Sequence, residues 1–205
     1  MLPLGVIVAG GSAERMGGAD KPLLSLNDRP LVEHVVERVR PQLSGLALNV
    51  RPERSDRYTD VGGGDLPLLF DSFDGRSGPL GGVLAGLRWA ATEGTSEWLA
   101  SFPSDTPYLP RDLVSRLMRK ADNSIPVVAK TVGRIQALCA LWPVSCRDRL
   151  REGVEAGRYK SLWWTLAELG ACECVFDEEE AFFNVNTVED LTRAEKLAKP
   201  RNRGA

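Results

Sequence analysis

Apolar and polar residues fall into blocks along this chain, and the blocks alternate between two periods. Residues 4–9 form an unbroken aliphatic run, the mark of a strand buried on both faces. Over 30–43 the period lengthens: Val32, Val36, Val39 and Leu43 recur at helical spacing, and Pro30 suits the first turn of that helix. Residues 46–50 and 66–70 read as the next strands. Over 79–93, Leu80, Val83, Leu84 and Leu87 share one stripe, which predicts a second long helix with Gly94 as its C-terminal stop. Residues 98–102 are again an apolar strand, ending at Pro103-Ser104-Asp105, and 112–122 return to an amphipathic helix through Leu113, Leu117 and Met118. Farther on, 126–130 and 136–142 read as strands, 146–156 and 162–169 as helices, 174–176 as an edge strand and 187–197 as a last helix. Thr187 and Asp190 stand at the spacing of a capping box. Residues 199–205 are polar, contain Pro200 and are expected to fray.

Strand–helix alternation predicts a parallel, three-layer α/β sheet with right-handed crossovers, and residues 1–198 read as one domain. Ligands in such sheets bind beyond the carboxyl ends of the strands. The residues falling there are the loop after Ala9, Asn49, Asp71, the Gly78–Gly82 turn and Asp105. Their convergence predicts a single site.

Composition narrows the chemistry. The net charge is −2 with acidic and basic residues interspersed, so the chain lacks the basic face that nucleic-acid or anionic-membrane binding needs. No apolar run approaches the ~18 residues that span a bilayer. The first residues carry no basic segment of the secretory kind, and four cysteines do not make a disulfide framework, so the expected location is the reducing cytoplasm. Cys172 and Cys174 read as buried thiols. His34 is the one histidine, expected on the polar, solvated side of its helix; with a single histidine on a solvated face, the sequence argues against Ser-His-Asp chemistry and multi-histidine metal sites.

The stretch from Val8 to Pro22 is where the chemistry concentrates. Gly10, Gly11, Gly17 and Gly18 interrupt it, and Arg15 and Lys21 add two cations. Glycines let backbone approach a ligand closely, and exposed N–H groups with two cations make a cradle for polyphosphate. No Gly-Lys-Ser/Thr closes the loop, so it is not a Walker A element, and the spacing is not the dinucleotide fingerprint. A flexible turn after a buried strand is the alternative. Asp105 follows a buried strand, where a carboxylate suits Mg²⁺ completed by phosphate oxygens and water; an Asx-turn before Pro107 is the other reading.

The string AGGSAERMGGADKPLL resembles the signature loop of nucleotidyltransferases related to the sugar-nucleotide pyrophosphorylases, and among these the molybdenum cofactor guanylyltransferases. Two further segments carry the resemblance: Asp105-Thr106-Pro107 and Asn184-Val185-Asn186-Thr187. It implies a three-layer Rossmann-like nucleotide-diphospho-sugar transferase fold with a mostly parallel central sheet. The implied activity is transfer of GMP from GTP to the phosphate of molybdenum-molybdopterin, with release of pyrophosphate. The cofactor would be Mg²⁺ on Asp105. A molybdoenzyme or its chaperone would receive the product.

The resemblance also assigns residues. Lys21 would touch the triphosphate, Arg15 would steady the departing pyrophosphate, and Asp105 would complete the catalytic set. Val8, Ala9, Gly10, Gly11, Lys21, Asn49, Asp71, Gly78, Gly82 and Asp105 would contact GTP, and Asn184 and Asn186 the pterin. For Asn49 a turn residue, for Gly82 close helix packing, and for Asn186 a helix-entry residue are the structural alternatives. The family often carries proline after the position of Gln136, where this chain has Ala137. A phosphate monoester, with second pKa ~6, is largely dianionic at pH 7 and needs no strong base, which fits the lack of a catalytic His or Cys. A cytidylyltransferase for the same cofactor, a sugar-phosphate nucleotidyltransferase and a non-catalytic nucleotide-binding domain remain as alternatives. A dinucleotide binder would place an acid after the second strand, where this chain has Asn49-Val50-Arg51.

Overall fold

A computed structural model describes residues 1–10, 20–71, 78–122, 124–159 and 161–198. In chain order the elements are β1 (Leu4–Val8), β2 (Ser25–Leu26), β3 (Arg29–Pro30), α1 (Leu31–Val39), β4 (Gly45–Asn49), β5 (Leu68–Leu69), α2 (Pro79–Glu93), β6 (Trp98–Pro103), α3 (Leu113–Met118), β7 (Val127–Thr131), β8 (Arg134–Pro143), α4 (Arg147–Glu155), α5 (Leu162–Glu168), β9 (Cys172–Val175) and α6 (Val188–Ala198). Seven strands form one sheet in the order β5-β4-β1-β6-β8-β7-β9. All its pairings are parallel except those of β8, which runs antiparallel to β6 and β7.

β1 sits between β4 and β6 because it is apolar on both faces. Ile7 joins the core on one side, under Val32, Val35, Val36 and Val39 of α1 and Leu113 and Leu117 of α3. Leu4, Val6 and Val8 join the core on the other, under Leu80, Val83, Leu84 and Leu87 of α2 and under α4 and α5. That opposition is the two-residue period of a strand. α2 lies close against β1: a Cβ on Gly86 would come within 2.7 Å of Val6 Cγ1, and one on Gly82 within 2.7 Å of Val8 Cγ1. Glycines one helical turn apart therefore bring the helix down onto the strand that ends at the site. Gly94, with φ of 63°, ends α2 as expected from the sequence.

Several expectations are revised. The helix expected over 30–43 stops at Val39 and tightens into a 3₁₀ turn, Arg40–Gln42, because Pro41 has no N–H to continue the ladder. Pro30 precedes the helix as its N-cap rather than lying in the first turn. The helix expected over 112–122 is confined to α3, since the amides of Lys120 and Ala121 close shorter bonds to Leu117 and Met118. β8 is antiparallel because only Val132 and Gly133 separate it from β7, too few residues for a parallel crossover; Gly133 takes φ of 72°. His34 is not simply solvated. Its Nε2 meets the carbonyl oxygen of Leu26 at 2.8 Å, tying α1 to the β2–β3 hairpin, whose turn residues Asn27 and Asp28 both have positive φ. The fraying expected at 199–205 lies outside the described residues. No described helix is long and apolar enough to cross a membrane.

Candidate active site

The sheet register brings Val8, Asn49 and Pro103 side by side at the carboxyl rim of β1, β4 and β6. A pocket of about 240 Å³ opens there, lined by Val8, Ala9, Gly10, Lys21, Asn49, Gly78, Asp105 and Asn184, together with Pro22, Pro79, Pro103, Ser104 and Leu138. Two roomier hollows, of about 400 and 540 Å³, lie by Ala90, Glu97 and Val144 and by Leu2, Pro41 and Met118. They adjoin the amino ends of the parallel strands. The smaller rim pocket sits where such sheets bind ligands, and it gathers the charged groups described next.

Lys21 follows Asp20 into a short 3₁₀ turn, Lys21–Leu23, in which Pro22 fixes the backbone. Its Nζ donates to Asp105 Oδ2 at 2.5 Å and to Asn186 Oδ1 at 2.7 Å. Both side chains of the ion pair are about one-fifth exposed, so the pair faces the pocket rather than the core. Asp105 is held in turn by the C-terminal segment: the Val185 N–H donates to the Asp105 carbonyl at 3.0 Å, and the Thr106 hydroxyl donates to Asn184 Oδ1. The two asparagines expected at the pterin thus lie in an irregular segment before α6, with their side-chain oxygens turned toward Lys21 and Thr106.

Asn49 ends β4 and is almost wholly buried. Its Nδ2 donates to the Leu69 carbonyl at 3.2 Å and to Asp71 Oδ1 at 2.8 Å. Among the described residues its Oδ1, buried against Gly10 and Gly82, has no hydrogen-bond partner. A buried acceptor left unpaired is costly, so this oxygen is a candidate for a ligand N–H. Asp71 stands behind Asn49 and does not itself line the pocket. Burial pushes its carboxyl above the usual carboxylate range, against the opposing bond from Asn49. Gly82 lies beneath Asn49, and Gly78 opens α2, whose first turn carries no acidic residue. The positive end of that helix therefore borders the pocket. Gly11 and Arg15 lie outside the described residues.

This set can bind an anion and a hard cation, and it holds no buried His or thiol for acid–base work. Among the described residues, Asp105 is the one carboxylate lining the pocket, and no cluster of three or more His, Cys, Asp or Glu side chains gathers anywhere. A single carboxylate beside a lysine fits Mg²⁺ that arrives with phosphate oxygens, not a dedicated protein cage. Sequence reading missed Ser104, Thr106 and Leu138. Thr106 could have been found from the Asp-Thr-Pro string, but Leu138 reaches the pocket only because β8 folds back beside β6.

Comparison with known proteins gives consistent results. A family model described as MobA-like NTP transferase domain matches residues 5–169. A molybdenum cofactor guanylyltransferase of Cereibacter sphaeroides is 42% identical over 195 residues, covering 95% of this chain and 96% of that one. Among solved structures, molybdopterin-guanine dinucleotide biosynthesis protein A from Archaeoglobus fulgidus matches with a TM-score of 0.73 at 22% identity, over 95% of this chain and 97% of that chain. The 4-diphosphocytidyl-2C-methyl-D-erythritol synthase of Anaerococcus prevotii matches with a TM-score of 0.74 at 15% identity, over 96% and 95%.

Proposed function

We propose, for a chain that belongs to the family of MobA-like NTP transferase domains, that it transfers GMP from GTP to the phosphate of molybdenum-molybdopterin. The chain is a nucleotidyltransferase of molybdenum cofactor biosynthesis, and the choice of GTP and of the pterin phosphate is our reading. One observation carries it: Lys21 and Asp105, distant in sequence, meet at 2.5 Å on the rim of the same cleft.

In this reaction an oxygen of the pterin phosphate forms a bond to the α-phosphorus of GTP, and the α–β bridging bond breaks to release pyrophosphate. The attacking monoester, with second pKa ~6, is already largely dianionic at pH 7. What remains for the protein is alignment and charge neutralisation. Lys21 binds the phosphate chain, and the backbone at Gly10 and the start of α2 offer N–H groups to it. Asp105 would hold Mg²⁺, which when bound neutralises phosphate charge and polarises the phosphoryl group. At the base end, the Oδ1 of Asn49, unpaired among the described residues, supports recognition of guanine, whose N1 and N2 are donors; Asp71 orients that amide.

Pyrophosphate release measured with GTP, CTP and UTP in the presence of a molybdopterin donor tests the reading. GTP is expected to be preferred; a preference for CTP would overturn the assignment of base. Lys21→Met and Asp105→Asn are each expected to lower turnover by ~10²–10³ while leaving the fold intact, since both side chains are partly exposed.

A further inference from the structure

One short turn grips the chain at two of the places that line or flank the cleft. Beyond β4 the backbone forms a 3₁₀ helix, Pro52–Arg57. Arg51, Arg54 and Arg57 recur every third residue, the period at which 3₁₀ side chains stack on one face. Arg51 Nε donates to the carbonyl of Gly10 at 2.9 Å. Arg54 Nη1 donates to Asp20 Oδ1 at 2.5 Å, and Arg57 Nη1 to Asp20 Oδ2 at 3.3 Å. Asp20 keeps only 6% of its side-chain surface exposed, and both its oxygens face arginines rather than the cleft. It is therefore not a metal ligand. It is the residue immediately before Lys21.

We propose that Arg54 is a positioning residue for nucleotide transfer, acting through Asp20 to hold Lys21 opposite Asp105. The inference rests on the reading of Lys21 given above. A lysine head on a four-carbon stem points reliably only if its backbone is anchored, and the Lys21 anchor is a buried carboxylate. A carboxylate so buried stays in place only while paired, and among the described residues Arg54 makes the shorter of its two ion pairs. Arg51 secures Gly10 from the same turn, and Asn49 lies two residues upstream. One excursion of the chain thus sets both the phosphate end and the base end of the cleft.

The test is a double-mutant cycle on the full chain, read as kcat and KM for GTP in pyrophosphate release and as Mg·GTP affinity by calorimetry. Arg54→Met is expected to lower kcat/KM by about ten- to a hundredfold, as displaced catalytic groups do. Arg54→Lys should recover part of the loss, keeping the charge without the guanidinium fork. In a Lys21→Met background, Arg54→Met should cost little more, because the residue acts through Lys21. The neutral double variant Asp20→Asn/Arg54→Met should regain the melting temperature that Arg54→Met loses, yet stay slow. An equal loss in the Lys21→Met background, or activity returning with the melting temperature, would overturn the proposal and leave the pair a fold contact only. If the wild type prefers CTP or UTP, the same cycle run with that nucleotide still tests Arg54. No turnover by the wild type with any of the three sinks the reading of the preceding subsection, and this proposal with it.

Discussion

Gly82 lacks a side chain at the spot where Asn49 needs the room. A Cβ there would lie 2.4 Å from Asn49 Oδ1 and 2.7 Å from Val8 Cγ1, and Asn49 is tethered on its other side to Leu69 and Asp71. Gly82→Ala is therefore expected to destabilise by ~1–3 kcal/mol and to weaken Mg·GTP binding, measured by thermal melting and calorimetry. Asp71 presents the opposite balance. Burial raises its carboxyl pKa above the ordinary 3.8, so the folded state binds that proton more tightly than the unfolded one. This contributes stability below pH 3.8 that is lost as pH rises through the folded value, and at neutral pH the ionised carboxylate lowers stability. Asp71→Asn should raise the urea midpoint at pH 7, with the gain shrinking on acidification, while nucleotide affinity falls. Lys21, Asp105 and Asn49 were legible in the sequence because each stands at a strand end or in a glycine-rich stretch. Arg54 was not. Nothing in its neighbours distinguishes it from other surface arginines until Asp20 is seen beneath it.

Elements were most legible where local physics suffices. α2 has the bounds expected from its apolar stripe and terminal glycine, and α6 begins with the reciprocal cap that its spacing announces. There Asp190 N–H donates to Thr187 Oγ1 at 3.1 Å, and Asp190 Oδ2 accepts from the amides of Asn186 and Thr187. Removing the hydroxyl in Thr187→Ala is expected to cost ~1 kcal/mol, seen as faster amide exchange along α6 and a lower urea midpoint. The same box fixes the backbone of Asn186, so helix entry and contact with Lys21 are a joint role. Periodicity overran at α3 and β5, where chain ends of elements are decided by competing turns. β8 reads as a strand from its apolar run, but its direction depends on the Val132-Gly133 turn, which carries a weak signal.

At the scale of the molecule, layer order decides which groups meet reagents and substrates. Cys139, Cys146 and Cys174 are buried in the two main cores, and burial pushes the Cys146 thiol up to about 12. Cys172 faces partly outward on the edge strand β9. A disulfide reagent should therefore titrate one thiol readily in the native protein and four in denaturant; rapid reaction of more than one would contradict this packing. The sheet is shared with a cytidylyl-type synthase at a TM-score of 0.74, so fold alone does not choose the base. By itself the sequence determined the alternation of elements and the parallel core around β1, and it suggested the residue types of the proposed anion site. Those are local properties, written in periodicity, glycine placement and charge. Only the tertiary structure decided that Asn184 and Asn186 reach Thr106 and Lys21, that among the described residues Asn49 keeps an unpaired oxygen, and that Arg54 and Arg57 pair with the Asp20 that precedes Lys21. Such pairings depend on strand register and on which buried charge finds which partner, and neither is encoded in any short window of sequence.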